Sequence, residues 1–67
     1  MFRVKITDLG RNNVTVTEDM EVVNFNNLLS MVFPHLVSSD IHFVINYGIG
    51  YVYAGFRSVG KIKVTTI

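Results

Sequence analysis

Tyrosines and basic residues at alternate positions are the residues of this sequence best suited to binding chemistry. Side chains two residues apart in a β-strand point to the same face of the sheet. Pairs with this spacing are Arg3 and Lys5, Tyr51 and Tyr53, and Lys61 and Lys63. A face that combines aromatic rings with cations can stack bases and neutralise phosphates, or form a tyrosine-rich protein interface. Together with His42, which we expect on the same face, these six are the candidate partner-binding residues.

The sequence contains no comparable set of residues for catalysis or metal binding. Glu18, Asp19 and Glu21 form the main carboxylate cluster, but no Asp or Asn partner follows at the spacing of a metal-binding loop. Neither His35 nor His42 is tied to a serine or a carboxylate by a recognisable catalytic motif. Cysteine is absent, which excludes disulfides, thiolate metal sites and thiol nucleophiles. We therefore predict a protein that is not an enzyme and holds no cofactor or metal.

The composition predicts one small domain covering residues 1–67. The chain is 49% hydrophobic and 16% charged, so a domain of this size is expected to gain stability by association, and we predict a homodimer. A formal charge of +1 provides no strong field to attract nucleic acid or a membrane. The N-terminus lacks the apolar core of a signal peptide, and no apolar run is long enough to span a bilayer. With cysteine absent, these features indicate a cytoplasmic location.

The first 23 residues predict a β-hairpin. Apolar and polar residues alternate over positions 2–7 and again over 14–17, as in half-buried strands. Glycine and asparagine within residues 8–13 supply the positive-φ positions of a tight turn. Residues 18–21, three of which are acidic, are expected to form the connection to the next element, with the alternative that the second strand runs on towards Val22.

A change of period then indicates a helix. Apolar residues at helical spacing, which would share one stripe, are Phe25, Leu28, Leu29, Val32 and Phe33. Asn24 is suited to cap the N-terminus, and Pro34 is expected to end the helix. A loop over residues 35–40, with serines at positions 38 and 39, should follow.

The remaining residues predict three strands. Residues 41–56 form an apolar run divided by Gly48 and Gly50, typical of a hairpin that turns at residues 48–50. Residues 57–60 are expected to form a further turn, and residues 61–67 alternate as a last strand. The predicted fold is α+β, a mainly antiparallel sheet with one helix packed on one face, in the order β-β-α-β-β-β.

An opening hairpin followed by a helix resembles the ubiquitin-like β-grasp, which is the alternative fold. The C-terminal residues Thr65, Thr66 and Ile67 differ from the Gly-Gly tail of the conjugated members of that family. The tight hairpins expected after the helix also differ from the crossover of the β-grasp.

The length of the loop in the 41–56 hairpin decides which side chains are exposed. A two-residue loop would place Ile45 near Val52 or Ala54, with Phe56 on the helix-facing side, and would expose Tyr51 and Tyr53 on the opposite face. A three-residue loop would bury both tyrosines. Both registers remain open at the level of the sequence.

These features favour a small non-catalytic protein-binding module, a homodimeric regulator or inhibitor of a larger protein, of the type made by phages and mobile elements. One alternative is a single-stranded nucleic-acid-binding protein that uses the basic, tyrosine-bearing face. Another is a structural subunit of a larger assembly. The small net charge favours a protein partner over nucleic acid.

Overall fold

The computed structural model describes residues 1–36 and 40–67, and it confirms the predicted α+β fold and element order. One helix, α1 (Phe25–Val32), is followed by a single 3-10 turn, Phe33–His35. The strands are β1 (Phe2–Leu9), β2 (Val14–Met20), β3 (Ile41–Asn46), β4 (Ile49–Ala54) and β5 (Arg57–Thr66).

The strands form one sheet in the order β2-β1-β5-β4-β3. Every neighbouring pair is antiparallel, including β1 with β5 at the centre of the sheet. The β-grasp alternative is therefore wrong, because its crossover connection would create a parallel pair and the strands after α1 are joined by tight hairpins instead.

The hydrophobic core lies between α1 and one face of the sheet. Its largest fully buried side chains come from three strands and the helix, namely Val4, Ile6, Leu9, Val32, Val52 and Ile62. The opposite face of the sheet is covered by no described element of the chain. The fold thus has two layers, and one sheet face remains accessible to a partner.

The predicted N-terminal hairpin is confirmed: it consists of two strands and a turn in which Gly10 and Asn13 have positive φ. One expectation about its borders is wrong: Leu9 belongs to β1 and is fully buried, so the turn begins after it. Of the two alternatives for residues 18–21, the structure shows the longer strand, because β2 includes Glu18 and Asp19 and ends at the buried Met20.

The helix begins as predicted, since the side chain of Asn24 accepts a hydrogen bond of 2.8 Å from the Asn27 backbone N–H. Its buried face differs from the predicted stripe: Met31 is buried with Leu28 and Val32, while Phe25 and Phe33 are exposed. No helix in the described part of the chain is long and apolar enough to cross a membrane.

Phe33 is exposed although it continues the helical backbone: it caps α1 with αR dihedral angles, and its N–H donates to the Leu29 carbonyl. Successive helical residues are about 100° apart around the axis, so Phe33 lies off the face on which Val32 is buried, and the tighter 3-10 turn of residues 33–35 contains Pro34. His35 therefore belongs to this turn and not to the predicted loop. Residues 38 and 39, the serines of the predicted loop, lie outside the described residues.

The β3–β4 hairpin closes with the two-residue loop Tyr47-Gly48, so the turn predicted at residues 48–50 is misplaced. Both loop residues have positive φ, 54° and 79°, as in a type I′ turn. Gly50 belongs to β4 and lies opposite Ile45, which corrects the predicted pairing of Ile45 with Val52 or Ala54. A Cβ at Gly50 would overlap the backbone carbonyl of Val44, so this close approach of the strands requires glycine.

The β4–β5 hairpin turns at Gly55 and Phe56, and the turn predicted at residues 57–60 is wrong because β5 already begins at Arg57. Gly55 supplies the positive φ that this two-residue loop needs. Phe56 lies in the loop and is fully exposed, so it is not on the helix-facing side as expected. A β-bulge at Val59 shifts the register of β5 against β4.

Candidate partner-binding face

The sheet face opposite α1, termed the open face, brings together the side chains that the sequence singled out. Across β2, β1, β5, β4 and β3 its charged and aromatic members are Asp19, Arg3, Lys5, Lys63, Lys61, Tyr51, Tyr53 and His42. They belong to five neighbouring strands, and the strand register fixes their relative positions. The two-residue loop of the β3–β4 hairpin is the reason that the tyrosines lie on this face.

Tyr51 and Tyr53 form a ring pair on β4. Their ring centroids are 6.3 Å apart and their planes are inclined by 53°. Tyr51 is 43% exposed and lies opposite Lys61, whereas Tyr53 is half-buried between His42 and Ser58. Tyr51 therefore offers the more accessible ring.

Lys5 and Lys63 face each other directly across the β1–β5 pairing in the middle of the open face. Both side chains are exposed, and neither forms an ion pair within residues 1–36 and 40–67. Like charges directly opposite each other destabilise a sheet. This pair therefore works against the isolated fold, and an anionic partner would convert the repulsion into attraction.

Lys61 is the third lysine of the open face. Its Nζ lies 3.7 Å from Oδ2 of Asp8, a distance that allows an exposed and weak ion pair. Asp8 lies near the end of β1, so the negative charge approaches the face only at that end. Lys61 remains beside Tyr51 in the strand register.

Arg3 is held by Asp19 of the neighbouring strand. The guanidinium donates two hydrogen bonds to the carboxylate, of 2.9 Å and 3.2 Å. The hydrogen bonds lower the pKa of Asp19 below its ordinary value of 3.8, and they raise the pKa of Arg3. Arg3 is therefore a less available cation than Lys5 or Lys63, although the sequence placed all three in one set.

His42 lies at the β3 edge of the open face. Its Nε2 is 2.9 Å from Oδ1 of Asp40, and both side chains are exposed. It is the cross-strand neighbour of Tyr53. The structure thus places His42 beside the tyrosine pair, with β4 between it and the β5 lysines and both β4 and β5 between it and Lys5.

Two aliphatic side chains complete the open face. Val44 is 47% exposed and lies opposite Tyr51, and Ile49 is 64% exposed and lies opposite Lys63. Ile49 is not among the candidate residues from the sequence, because the turn was predicted at residues 48–50. A two-residue turn with glycine at its second position is the signal that would have assigned Ile49 to β4.

Charge is distributed unevenly between the open face and the rest of the molecule. Four of the six basic residues, Arg3, Lys5, Lys61 and Lys63, lie on the strands of the face, and Asp19 is the carboxylate among them. Two further carboxylates lie at its borders, since Asp8 contacts Lys61 and Asp40 contacts His42. The positive charge of the face is therefore concentrated at Lys5 and Lys63, which form no ion pair within the described residues.

The acidic cluster seen in the sequence is not assembled into one site. Glu18 and Asp19 are consecutive in β2 and point to opposite faces of the sheet. Within the described residues, no three His, Cys, Asp or Glu side chains are grouped so that they could hold a metal ion.

Two concave regions of the surface lie at opposite ends of the sheet. One, of about 960 Å³, is bordered by the β1–β2 turn and by residues 34–36. The other, of about 830 Å³, is bordered by apolar side chains that include Phe2, Val23, Ile45 and Val64. Neither is lined by Tyr51 or Tyr53.

Comparison of the chain with protein-family models, with curated proteins and with solved structures finds no match. The residues of the chain itself are therefore the basis for proposing a function, and the open face is the candidate site among them.

Proposed function

We propose that the chain is a small non-catalytic binding module that docks its open face on an acidic surface of a larger protein. Bound there, it acts as a regulator or inhibitor by covering that surface. The observation that carries this proposal is the exposed Lys5–Lys63 pair at the centre of the open face. The absence of cysteine supports a cytoplasmic site of action.

The lysine pair favours a carboxylate-bearing partner on energetic grounds. In the free chain the two ammonium groups repel each other, and each group loses little hydration because it is exposed. A partner carboxylate placed between them removes the repulsion and adds two attractive interactions. Complementary charge of this kind speeds association and selects against partners of the same sign.

The apolar side chains beside the lysines favour a protein over a nucleic acid. Val44 and Ile49 flank Tyr51, so that an aliphatic and aromatic patch lies next to the positive charges. Aliphatic groups have little to offer a phosphate backbone, whereas apolar contacts at the centre of a polar rim are typical of protein interfaces. Tyrosine is also enriched among the residues that contribute most to such interfaces.

Affinity capture with matched charge variants tests the proposal. Lys63→Glu and Arg11→Glu change the net charge equally, but only Lys63 lies on the open face. We expect the wild-type chain and Arg11→Glu to retain the same acidic protein from the cells that make the chain. Lys63→Glu should bind that protein with an affinity at least about tenfold lower. Retention should weaken as salt is added.

Equal capture by Lys63→Glu and Arg11→Glu would contradict docking through the open face. A circular dichroism spectrum of each variant shows that the fold is retained, as expected for substitutions at exposed positions. Capture of a basic protein by all three chains would also contradict the proposal.

A second candidate function, binding of single-stranded nucleic acid, is favoured by the ring pair of Tyr51 and Tyr53 beside Lys61. Bases stack on such rings while cations meet phosphates, with about 1–3 kcal/mol per stacked base. We expect an oligothymidine to bind at low salt, and Tyr51→Ala to weaken it by roughly tenfold or more.

Phe56→Ala is the control for this second function, since Phe56 is an exposed ring that lies away from the open face in the β4–β5 loop. It should leave oligothymidine binding unchanged. Unaltered mobility of the oligonucleotide at low salt, at all concentrations of the wild-type chain, would rule the second candidate out.

A further inference from the structure

We infer that β3 is a self-association edge, at which two copies of this chain pair their β3 strands antiparallel about a two-fold axis at Val44. This edge is distinct from the centre of the open face, and self-association through it is a property beyond the proposed function. The inference follows from the hydrogen-bonding groups of β3, from the difference between the two sheet edges, and from the self-complementary order of the β3 side chains.

β3 has one free edge of hydrogen-bonding groups. Asn46 and Ile49 flank the two-residue loop and form a hydrogen-bonded pair, so that every second residue of β3 is bonded to β4. The Asp40 carbonyl agrees with this alternation, since it accepts a hydrogen bond from Gly55 N–H on the β4 side. The backbone groups of Phe43 and Ile45 therefore point to the open edge, where no described strand lies beside them.

The two edges of the sheet differ in how they are protected. Edge strands of soluble proteins are commonly kept from pairing by charged side chains. β2 carries Glu18 and Asp19, and although Arg3 compensates Asp19, the exposed Glu18 would bring a negative charge from each copy into a pair of β2 strands. β3 contains no Asp, Glu, Lys or Arg in its six residues. Self-pairing is therefore opposed at β2 and unopposed at β3.

The order of side chains in β3 is self-complementary in one register. With Val44 opposite its symmetry mate, Phe43 meets the second copy's Ile45 on the helix side, and His42 meets the second copy's Asn46 on the other side. Apolar residues thus meet apolar residues, and a donor and acceptor pair meets on the polar side. Phe25, which is exposed and packs edge-on against Phe43 at a ring-centroid distance of 5.6 Å, would be covered at the same time.

The open face is an unsuitable alternative for self-association. Packing two open faces together would bring Lys5 and Lys63 of both copies into one interface, and like charges in an interface cost several kcal/mol. Pairing through β3 avoids that repulsion, because the lysines lie on β1 and β5. The two open faces would instead become one continuous surface with the tyrosine pairs near its centre.

A single introduced thiol tests the register, because the chain has no cysteine. Residues opposite each other at a non-hydrogen-bonded position have Cα atoms about 4.5 Å apart, which is within disulfide reach. We expect Val44→Cys to form a disulfide-linked dimer in oxidised glutathione much faster than Thr17→Cys, an exposed outward position on the other edge strand. Equal cross-linking of the two variants would overturn the inference.

Sedimentation provides a second measurement that does not depend on the thiol. We expect the wild-type chain to show a monomer–dimer equilibrium between low micromolar and millimolar concentration, since a single strand pair buries less than a standard interface. Val44→Lys should weaken dimerisation by about tenfold or more through like-charge contact at the axis, whereas Thr17→Lys should not. A wild-type monomer over the whole range, or assemblies larger than a dimer, would contradict pairing through β3.

Discussion

Arg3 donates two hydrogen bonds to Asp19, which makes this ion pair a link between β1 and β2 more than a free cation of the open face. Both side chains are largely exposed, so water screens the interaction. The availability of a basic residue for a partner thus depends on its cross-strand neighbour. Lys5 and Lys63 have only each other, and they are the better anchors.

The lowered pKa of Asp19 predicts a pH-dependent contribution to stability. Because its pKa is lower in the folded chain, the contribution is fully present above the ordinary value of 3.8 and is lost as the pH falls through the lowered value. We expect Asp19→Asn to be slightly less stable than wild type at neutral pH, and the two to converge in acid. Urea unfolding at several pH values measures this difference.

The control for Asp19 is Glu21→Gln, which removes an exposed carboxylate outside this ion pair. It should leave the stability at neutral pH nearly unchanged. A difference between wild type and Asp19→Asn that persists undiminished in acid would show that the charge of Asp19 is not its source.

At the scale of residues, the sequence predicted which side chains of one strand share a face, but not which side chains lie opposite each other on neighbouring strands. Alternation within each strand is local, so the shared face of Tyr51 and Tyr53 followed from their spacing. The meeting of Lys5 with Lys63 depends on the pairing of β1 with β5, which are the two ends of the chain. No local pattern encodes that pairing, and the charge repulsion it creates could not be predicted.

At the scale of elements, the β3–β4 hairpin determines the properties of the open face. Its loop is Tyr47-Gly48, and Tyr47 adopts a φ of 54° although its side chain is fully exposed and gains no packing. A left-handed conformation costs an ordinary residue about 1–2 kcal/mol, while asparagine tolerates it well. The sequence prediction failed at this loop because tyrosine is a poor indicator of a type I′ turn.

This strain predicts that Tyr47→Asn stabilises the chain. Asn-Gly is the preferred pair for a type I′ turn, so we expect the free energy of unfolding to rise by about 1 kcal/mol. Tyr47→Ala is the matched control, since it also removes the ring but keeps a residue that disfavours positive φ. Thermal or urea unfolding measures both, and equal stability of the two variants would contradict a strained turn.

The helix was predicted more accurately at its start than along its buried face. The cap is a local interaction between Asn24 and Asn27, and it was therefore visible in the sequence. The buried face depends on how the helix is rotated against the sheet, which the local spacing of apolar residues does not determine. Met31 lies on the buried face with Leu28 and Val32, whereas Phe33 lies outside it.

At the scale of the whole molecule, a two-layer fold leaves one sheet face accessible, and four of the six basic residues lie on the strands of that face. The fold class followed from periodicity, because helix and strand patterns are each continuous in the sequence. The meeting of Lys5 with Lys63 on the open face did not, since it requires the strand order as well as the composition.

The measurement that tests the central claim most directly is an NMR titration of the isotopically labelled chain with poly-glutamate at low salt. We predict that the largest shifts occur in the side chains of Lys5 and Lys63 and in the methyl groups of Ile49, which lies opposite Lys63. Largest shifts at Arg11 and Arg57, the two basic residues off the open face, would contradict it.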